Sequence, residues 1–195
     1  LDKVVILLRT RTGHDFSLYK KSTLYRRIER RMGLQQIDRI AQYVHYLQEN
    51  PQEQDLLFKE LLIGVTSFFR DPAAWADLRD QVFPALLARY PNGGRLRAWT
   101  AGCSTGEEAY SLGIVFKEAL AQLNPAPPFS LQIFATDLDR EAIDEARQGV
   151  YPANIATDVS PERLQRFFTP EDRGGYRIAK EIREMVTLAT QNLIM

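Results

Sequence analysis

The sequence predicts an α/β fold preceded by a small helical bundle. Three observations carry that expectation. Residues 1–63 place apolar side chains at helical spacing and show no strand-like alternation. From Arg95 the text changes to short apolar runs alternating with amphipathic stretches, the order that builds parallel strands joined by crossover helices. The first of those junctions is "TAGCSTGEE", a run of small residues suited to a tight strand-to-helix turn.

The elements follow in order. "TLYRRIERRMG" carries Leu24, Ile28 and Met32 at steps of four, with Gly33 as a C-terminal stop. "DRIAQYVHYLQEN" repeats the pattern with Ile40, Val44 and Leu47, and Asp38 is the expected N-cap. "EQDLLFKELLI" supplies Leu57 and Leu61 to a third helix, and Gly64 breaks the pattern. In "SFFRDPAAWADL" a helix restarts, with Asp71 as N-cap and Pro72 at the first helical position, where its missing N–H costs nothing. Pro84 is expected to kink or split that segment, and "YPNGG" reads as a loop.

Next come a strand "RLRAWTAG", a helix "EEAYSLGIVFKEALAQL", a connector "NPAPPFS", a strand "LQIFATD" and a helix "DREAIDEARQ" stopped by Gly149. The tail "GGYRIAKEIREMVTLATQNL" reads as a hairpin, Tyr176–Ala179 and Ile182–Thr190. The expected organisation is a helical domain at 1–63, a linker and helix at 64–94, and an α/β domain at 95–195.

Composition narrows the function classes. Hydrophobic content of 45% against 26% charged residues is that of a soluble globular chain. The formal net charge is zero, so attraction to nucleic acid or membrane needs a local patch. Cys103 is the single cysteine, which suits a reducing cytoplasm and forbids an internal disulfide. His14 and His45 have no clustered partners, so no metal site is expected. No apolar run approaches the roughly 20 residues of a membrane span, and no signal peptide is visible.

The junction at Ala101–Gly106 points to a cofactor. In open α/β sheets, ligands sit beyond the carboxyl ends of the strands. Small residues there let backbone approach a ligand closely. Asp137 closes the next strand, where a carboxylate can accept both hydroxyls of a ribose. The plainer alternative is a tight turn with Asp137 capping the next helix. The loop is G-C-S-T-G rather than G-x-G-x-x-G, and Asp137 follows too late for a nicotinamide dinucleotide fingerprint. Glu107 and Glu108 at the helix start would repel a pyrophosphate. They suit a cationic ligand, and S-adenosylmethionine carries an ammonium and a sulfonium.

Four ordered motifs, "LIGVTSFFRDP", "WTAGCSTGEEAYSL", "ATDLDREAIDEARQGVY" and "TLATQNL", resemble the chemotaxis-receptor glutamate methyltransferases, the CheR family. The basic "YRRIERRMG" fits that family's N-terminal helical domain. The resemblance implies a Rossmann-like S-adenosylmethionine methyltransferase core with a small antiparallel β insertion at about 150–185, in which Arg173 to Glu184 would lie. It implies that Thr66 and Arg70 contact cofactor and active site, that Glu108 meets the methionyl part, and that Asp137 binds the ribose. Asn192 and Leu193 would lie near the adenine, and the backbone of Ala101 and Gly102 would pass the cofactor. Where the family pattern has asparagine, this chain has Gly64, which removes one side-chain contact. The family also continues past the position of Met195 with further strands and a loop bearing an active-site tyrosine, so the C-terminal part of the core is missing from this chain.

The chemistry fits these residues. A glutamate carboxylate, with a pKa near 4.3, is ionised at neutral pH and needs no general base. Arg70 has the planar fork that holds two carboxylate oxygens, either the substrate's or the cofactor's own; the plainer role is pairing with Asp71 or a helix end. Lys20, Lys21, Arg26, Arg27, Arg30 and Arg31 form a cationic stripe. It is either a solvated face or, as the resemblance implies, a docking surface for the cytoplasmic helical domain of a chemoreceptor. Nucleic-acid binding is disfavoured, because the rest of the chain is not basic. The resemblance leaves room for flanking signalling domains. The expected function is transfer of a methyl group from S-adenosylmethionine to receptor glutamates, leaving S-adenosylhomocysteine. The rival readings are an inactive S-adenosylmethionine-binding module and, less favoured, an NAD-linked oxidoreductase.

Overall fold

Helical periodicity in the first third becomes four helices: α1 (Asp2–Thr12), α2 (Lys21–Leu34), α3 (Ile40–Glu49) and α4 (Pro51–Leu61). A computed structural model describes residues 1–62, 64–123 and 127–193. The chain divides into two units, Leu1–Ile63 and Gly64–Met195. In the first unit Val4, Leu8, Phe16, Leu24, Ile28, Tyr43, Leu47 and Leu57 form one core, each at most 2% exposed. Sequence reading named no helix at Asp2–Thr12, whose Val4 and Leu8 are fully buried.

Two helix ends differ from expectation. Gly33 lies inside α2, which runs on to Leu34. The chain then closes with Ile37 N–H on the Met32 carbonyl and Gln36 N–H on the Gly33 carbonyl, a Schellman end. Gln36, not glycine, takes the left-handed position at φ 56°. Asp38 does not cap α3: Arg39 occupies the N-cap position, and no side chain caps the helix.

The second unit begins with an extended segment and α5 (Pro72–Asp77). Pro72 is at the helix start as expected, but Asp71 has φ 58° and makes no side-chain cap. A π-helical turn, Leu78–Val82, then leads into α6 (Phe83–Leu87). Pro84 explains it: proline cannot donate to a carbonyl one turn back, and widening the preceding turn relieves the ring clash.

Strand β1 (Gly94–Ala101), helix α7 (Glu107–Ala121), strand β2 (Phe129–Asp137) and helix α8 (Arg140–Gln148) follow. β1 and β2 are parallel, from Gly94↔Phe129 to Ala101↔Thr136. Asp139 caps α8, accepting from Glu141 and Ala142 N–H. The apolar side of α7, with Ala109, Ile114, Val115, Phe116 and Ala119, shares one core with Ile133 and Ala135 of β2. The other face of the sheet leaves paired Trp99 and Phe134 at 58% and 41% exposed.

A second sheet of order β3-β5-β4 comprises β3 (Val150–Tyr151), β4 (Phe168–Pro170) and β5 (Tyr176–Ile178), all antiparallel. Between β3 and β4 lie a 3-10 turn (Ala153–Thr157) and α9 (Pro161–Phe167), which Ser160 caps. The tail is not a hairpin. A single helical turn, α10 (Lys180–Arg183), separates β5 from β6 (Val186–Thr190), and β6 joins β2 in parallel, giving the order β1-β2-β6. Ile182, fully buried, draws that turn onto α7, so the chain passes from one sheet to the other instead of folding back.

Candidate functional site

The carboxyl ends of β1, β2 and β6 meet around Asp137. Parallel pairing puts Ala101 beside Thr136 and Asp137 beside Thr190, and Gln191 N–H donates to the Asp137 carbonyl at 2.8 Å. Asn192 and Leu193 therefore follow directly from the strand next to Asp137. This brings together five of the expected cofactor positions, Ala101, Gly102, Asp137, Asn192 and Leu193, at the ends of three strands, with Ala101 and Gly102 exposed.

The loop between β1 and α7 is fixed by its own backbone. The N–H groups of Gly102 and Cys103 both donate to the Thr136 carbonyl, at 2.7 and 3.0 Å. Ser104, at φ 49°, donates to Asp137 Oδ2 at 2.7 Å. Gly106 N–H returns to the Cys103 carbonyl. Four loop amides are thus turned inward and are not offered to a phosphate. Gly102 has φ 72°, and a Cβ there would meet nothing within 4 Å, so the backbone faces open space that a ligand can enter. Gly106 is held differently: at φ 94° its added Cβ would press Ala146, Tyr110 and Tyr151.

Asp137 is half-buried. Its Oδ1 accepts Asp139 N–H at 2.9 Å and its Oδ2 accepts Ser104 N–H. Each oxygen keeps a lone pair, the capacity needed for two ribose hydroxyls. Glu108 is exposed at the start of α7, whereas Glu107 is buried. The Thr105 hydroxyl lies 2.9 and 2.7 Å from the two Glu107 carboxylate oxygens. Burial pushes the Glu107 carboxyl above its usual pKa; hydrogen bonds from Thr105, its own backbone and Thr66 oppose the rise, and the Glu145 charge adds to it. In the sequence Glu107 and Glu108 count together as charges at the helix start, and the resemblance gives the methionyl contact to Glu108 alone; the difference in their burial is set by tertiary packing. Burial, then the Asp137 charge, pushes the Cys103 thiol up to about 12, so it offers no thiolate at neutral pH.

The Thr66–Arg70 segment is tied to α7. Thr66 reaches Glu107, and Phe69 N–H donates to the fully buried Ser111 Oγ at 3.1 Å. Arg70 stands between two left-handed residues, Phe69 at φ 50° and Asp71 at φ 58°. Its carbonyl accepts the Trp75 indole N–H at 2.7 Å, and its guanidinium, on an exposed residue, donates to the Val65 carbonyl at 3.3 Å. Non-glycine residues in that region cost of order 1 kcal/mol each and persist where surroundings impose them. The Arg163 guanidinium, 3.8 Å over the Phe69 ring and bidentate to Glu118, is part of that surround.

In the helical unit the cationic stripe is divided. Arg31 is 13% exposed and forms a bidentate pair with buried Glu53. Arg27 and Arg30 both bond Glu60. Arg27 and Arg31 thus serve the interior, contrary to a single docking stripe, while Lys20, Lys21, Arg26 and Arg30 stay exposed. Among the described residues no cluster of His, Cys, Asp or Glu is arranged to hold a metal, and no helix is long and apolar enough to cross a membrane.

Residues 64–195 match the family model described as CheR methyltransferase, SAM binding domain, and residues 1–62 match CheR methyltransferase, all-alpha domain. The chain belongs to the CheR family. It is 42% identical over its full 195 residues to an uncharacterized 104.1 kDa protein of Rhodobacter capsulatus, covering 20% of that protein. It is 34% identical to chemotaxis protein methyltransferase 2 of Pseudomonas aeruginosa over 94% of this chain and 64% of the relative. The chemotaxis protein methyltransferase of Salmonella typhimurium is 30% identical over 98% of this chain and 65% of the relative. The CheR-family chain thus spans a fifth of one relative and under two thirds of the other two.

Proposed function

We propose that this chain carries the cofactor site and part of the active site of an S-adenosylmethionine-dependent glutamate O-methyltransferase acting on the helical domain of a chemoreceptor. The observation that carries the reading is the inward-turned loop rimmed by acids. A site that spends its amides internally and presents Asp137 and Glu108, with the buried Glu107 charge beside them, favours a cationic, sugar-bearing ligand over a phosphate-bearing one. The open space at Gly102 and the spare lone pairs of Asp137 fit that ligand.

Asp137 would hold the ribose, Glu108 the methionyl ammonium, and Asn192 with Leu193 the adenine. When bound, S-adenosylmethionine supplies an electrophilic methyl on its sulfonium, which an ionised carboxylate takes in line as an ester while the sulfur keeps the bonding pair. The chain's task is orientation and exclusion of water, which can lower a barrier by roughly 7–11 kcal/mol. Arg70, held between two constrained residues, positions a carboxylate by its fork. Lys20, Lys21, Arg26 and Arg30 form the cationic surface for an acidic receptor bundle.

Calorimetry with S-adenosylhomocysteine on this chain tests the site. We expect binding of S-adenosylhomocysteine and none of NADH. Asp137→Ala removes two backbone bonds and both ribose bonds, and should weaken binding by about 100-fold, near 2.7 kcal/mol. NADH binding, or wild-type affinity in the variant, would reject the reading. Base-labile methyl esters on a receptor, formed by the longer protein, separate a transferase from an inactive binding module.

A further inference from the structure

Tyr151 has no part in the chemistry described so far, yet it touches both the β1–α7 loop and Phe68 of the segment before α5. It ends β3, in the antiparallel sheet, and is 5% exposed. Its hydroxyl donates to the Thr105 carbonyl at 2.7 Å. A Cβ on Gly106 would lie 3.3 Å from that hydroxyl oxygen, so the loop backbone passes directly over it. The ring meets Phe68 edge-on at 4.8 Å, and Phe68 meets Phe168 of β4 edge-on at 5.3 Å. Phe68 is thereby held between side chains from two strands of the inserted sheet. Thr66 stands two residues before it and Arg70 two residues after.

We propose that Tyr151 is a positioning residue, whose hydroxyl fixes the cofactor loop and whose ring fixes the Thr66–Arg70 segment. The proposal rests on the methyltransferase reading above. Burial pushes the phenol well above its usual pKa, so the hydroxyl stays protonated and donates. The Thr105 residue it grips is the one whose side chain engages Glu107, and the preceding amide, Ser104, is the one on Asp137. Loss of the hydroxyl leaves a carbonyl unpaired beside the crevice and lets the loop leave its binding geometry. Apparent affinity then falls by the fraction of time the loop is out of place. The inserted sheet, on this view, works as a brace that sets the separation between cofactor and Arg70.

The test is made on the whole chain with Tyr151→Phe and Tyr151→Leu, using S-adenosylhomocysteine calorimetry, thermal melting and the amide NMR signals of Ser104 and Gly106. Tyr151→Phe should bind roughly tenfold more weakly, with Tm lower by a few degrees from the unpaired carbonyl, and both amide signals should broaden. Tyr151→Leu should bind more weakly still, with Phe at 151 restoring part of the loss. Should the leucine variant not fold, Phe68→Leu reports the ring contact instead. Unchanged affinity in Tyr151→Phe, with or without a lower Tm, overturns the proposal. If the wild-type chain binds no S-adenosylhomocysteine, the methyltransferase reading fails, and sharp, unshifted Ser104 and Gly106 signals in Tyr151→Phe would separately overturn the brace.

Discussion

Each unit of this chain buries a glutamate, and the two are treated in opposite ways. Glu53, in the helical unit, is 3% exposed; Glu107, in the α/β unit, is 9% exposed. Glu53 accepts from Arg31 Nε and Nη2 at 2.9 and 2.6 Å, from Gln35 at 3.0 Å and from Tyr43 at 2.7 Å. Burial works to raise its carboxyl, but those bonds and the Arg31 charge outweigh it, and the pKa is lowered. Glu107 is supported by threonine hydroxyls and its own backbone, and its pKa is raised. A buried carboxylate matched by a cation of the same unit is structure. One held by hydroxyls and its own backbone is, on the proposed reading, left to a cation from outside.

The largest effect expected from this contrast is at Glu53. Glu53→Ala strands the Arg31 charge among buried side chains and should destabilise the helical unit by about 3–5 kcal/mol. Denaturant unfolding and hydrogen exchange of the α2–α4 amides would measure it. A loss below about 1 kcal/mol would place the pair with solvent-screened surface bridges and remove the contrast.

Glu107→Gln sharpens the comparison from the other side. Because the folded pKa of Glu107 is raised, its contribution to stability is full below the unfolded value and is lost as pH rises through the folded value. Glutamine removes that dependence, so the variant should be at least as stable as wild type at neutral pH. Its affinity for S-adenosylmethionine should nonetheless fall by roughly tenfold, about what one charge contributes at about 10 Å with an effective dielectric near 20. Paired melting and calorimetry would show it. A variant that loses stability and keeps affinity would make Glu107 a structural residue like Glu53.

The sequence made much of this legible where the governing contacts are local. Apolar periodicity showed α2, α3, α7 and α8, and the strand-to-helix order showed parallel β1 and β2. The place of Asp137 was legible because it closes the apolar run that becomes β2; its bond to Ser104 N–H was not, because that partner lies 33 residues away. What stayed hidden depends on partners far along the chain. Arg27 and Arg31 looked like a surface stripe because their acids, Glu60 and Glu53, lie 33 and 22 residues away. The tail looked like a hairpin because nothing local shows that buried Ile182 turns the chain into a different sheet. Gln36 took a position that sequence rules reserve for glycine, so the end of α2 was misplaced.

The smallest expected effect again separates the units, this time by pH. His14 is 3% exposed, with its Nε2 3.1 Å from the Tyr19 hydroxyl and its ring edge-on to Phe16 at 4.6 Å. Burial lowers its pKa below the ordinary 6.5, and the neighbouring Asp15 charge opposes part of that shift. The folded helical unit therefore prefers the neutral ring. That stability is present above about pH 6.5 and is lost as pH falls toward the folded pKa. The Glu53 pair does not share in this loss, because its lowered carboxyl titrates only in stronger acid. Melting of the helical unit between pH 7 and 5.5 should fall in wild type and flatten in His14→Phe, while Glu107→Gln should leave that slope unchanged. A slope that survives His14→Phe would assign the acid sensitivity to another group, and the two units would no longer differ in how their buried charges are settled.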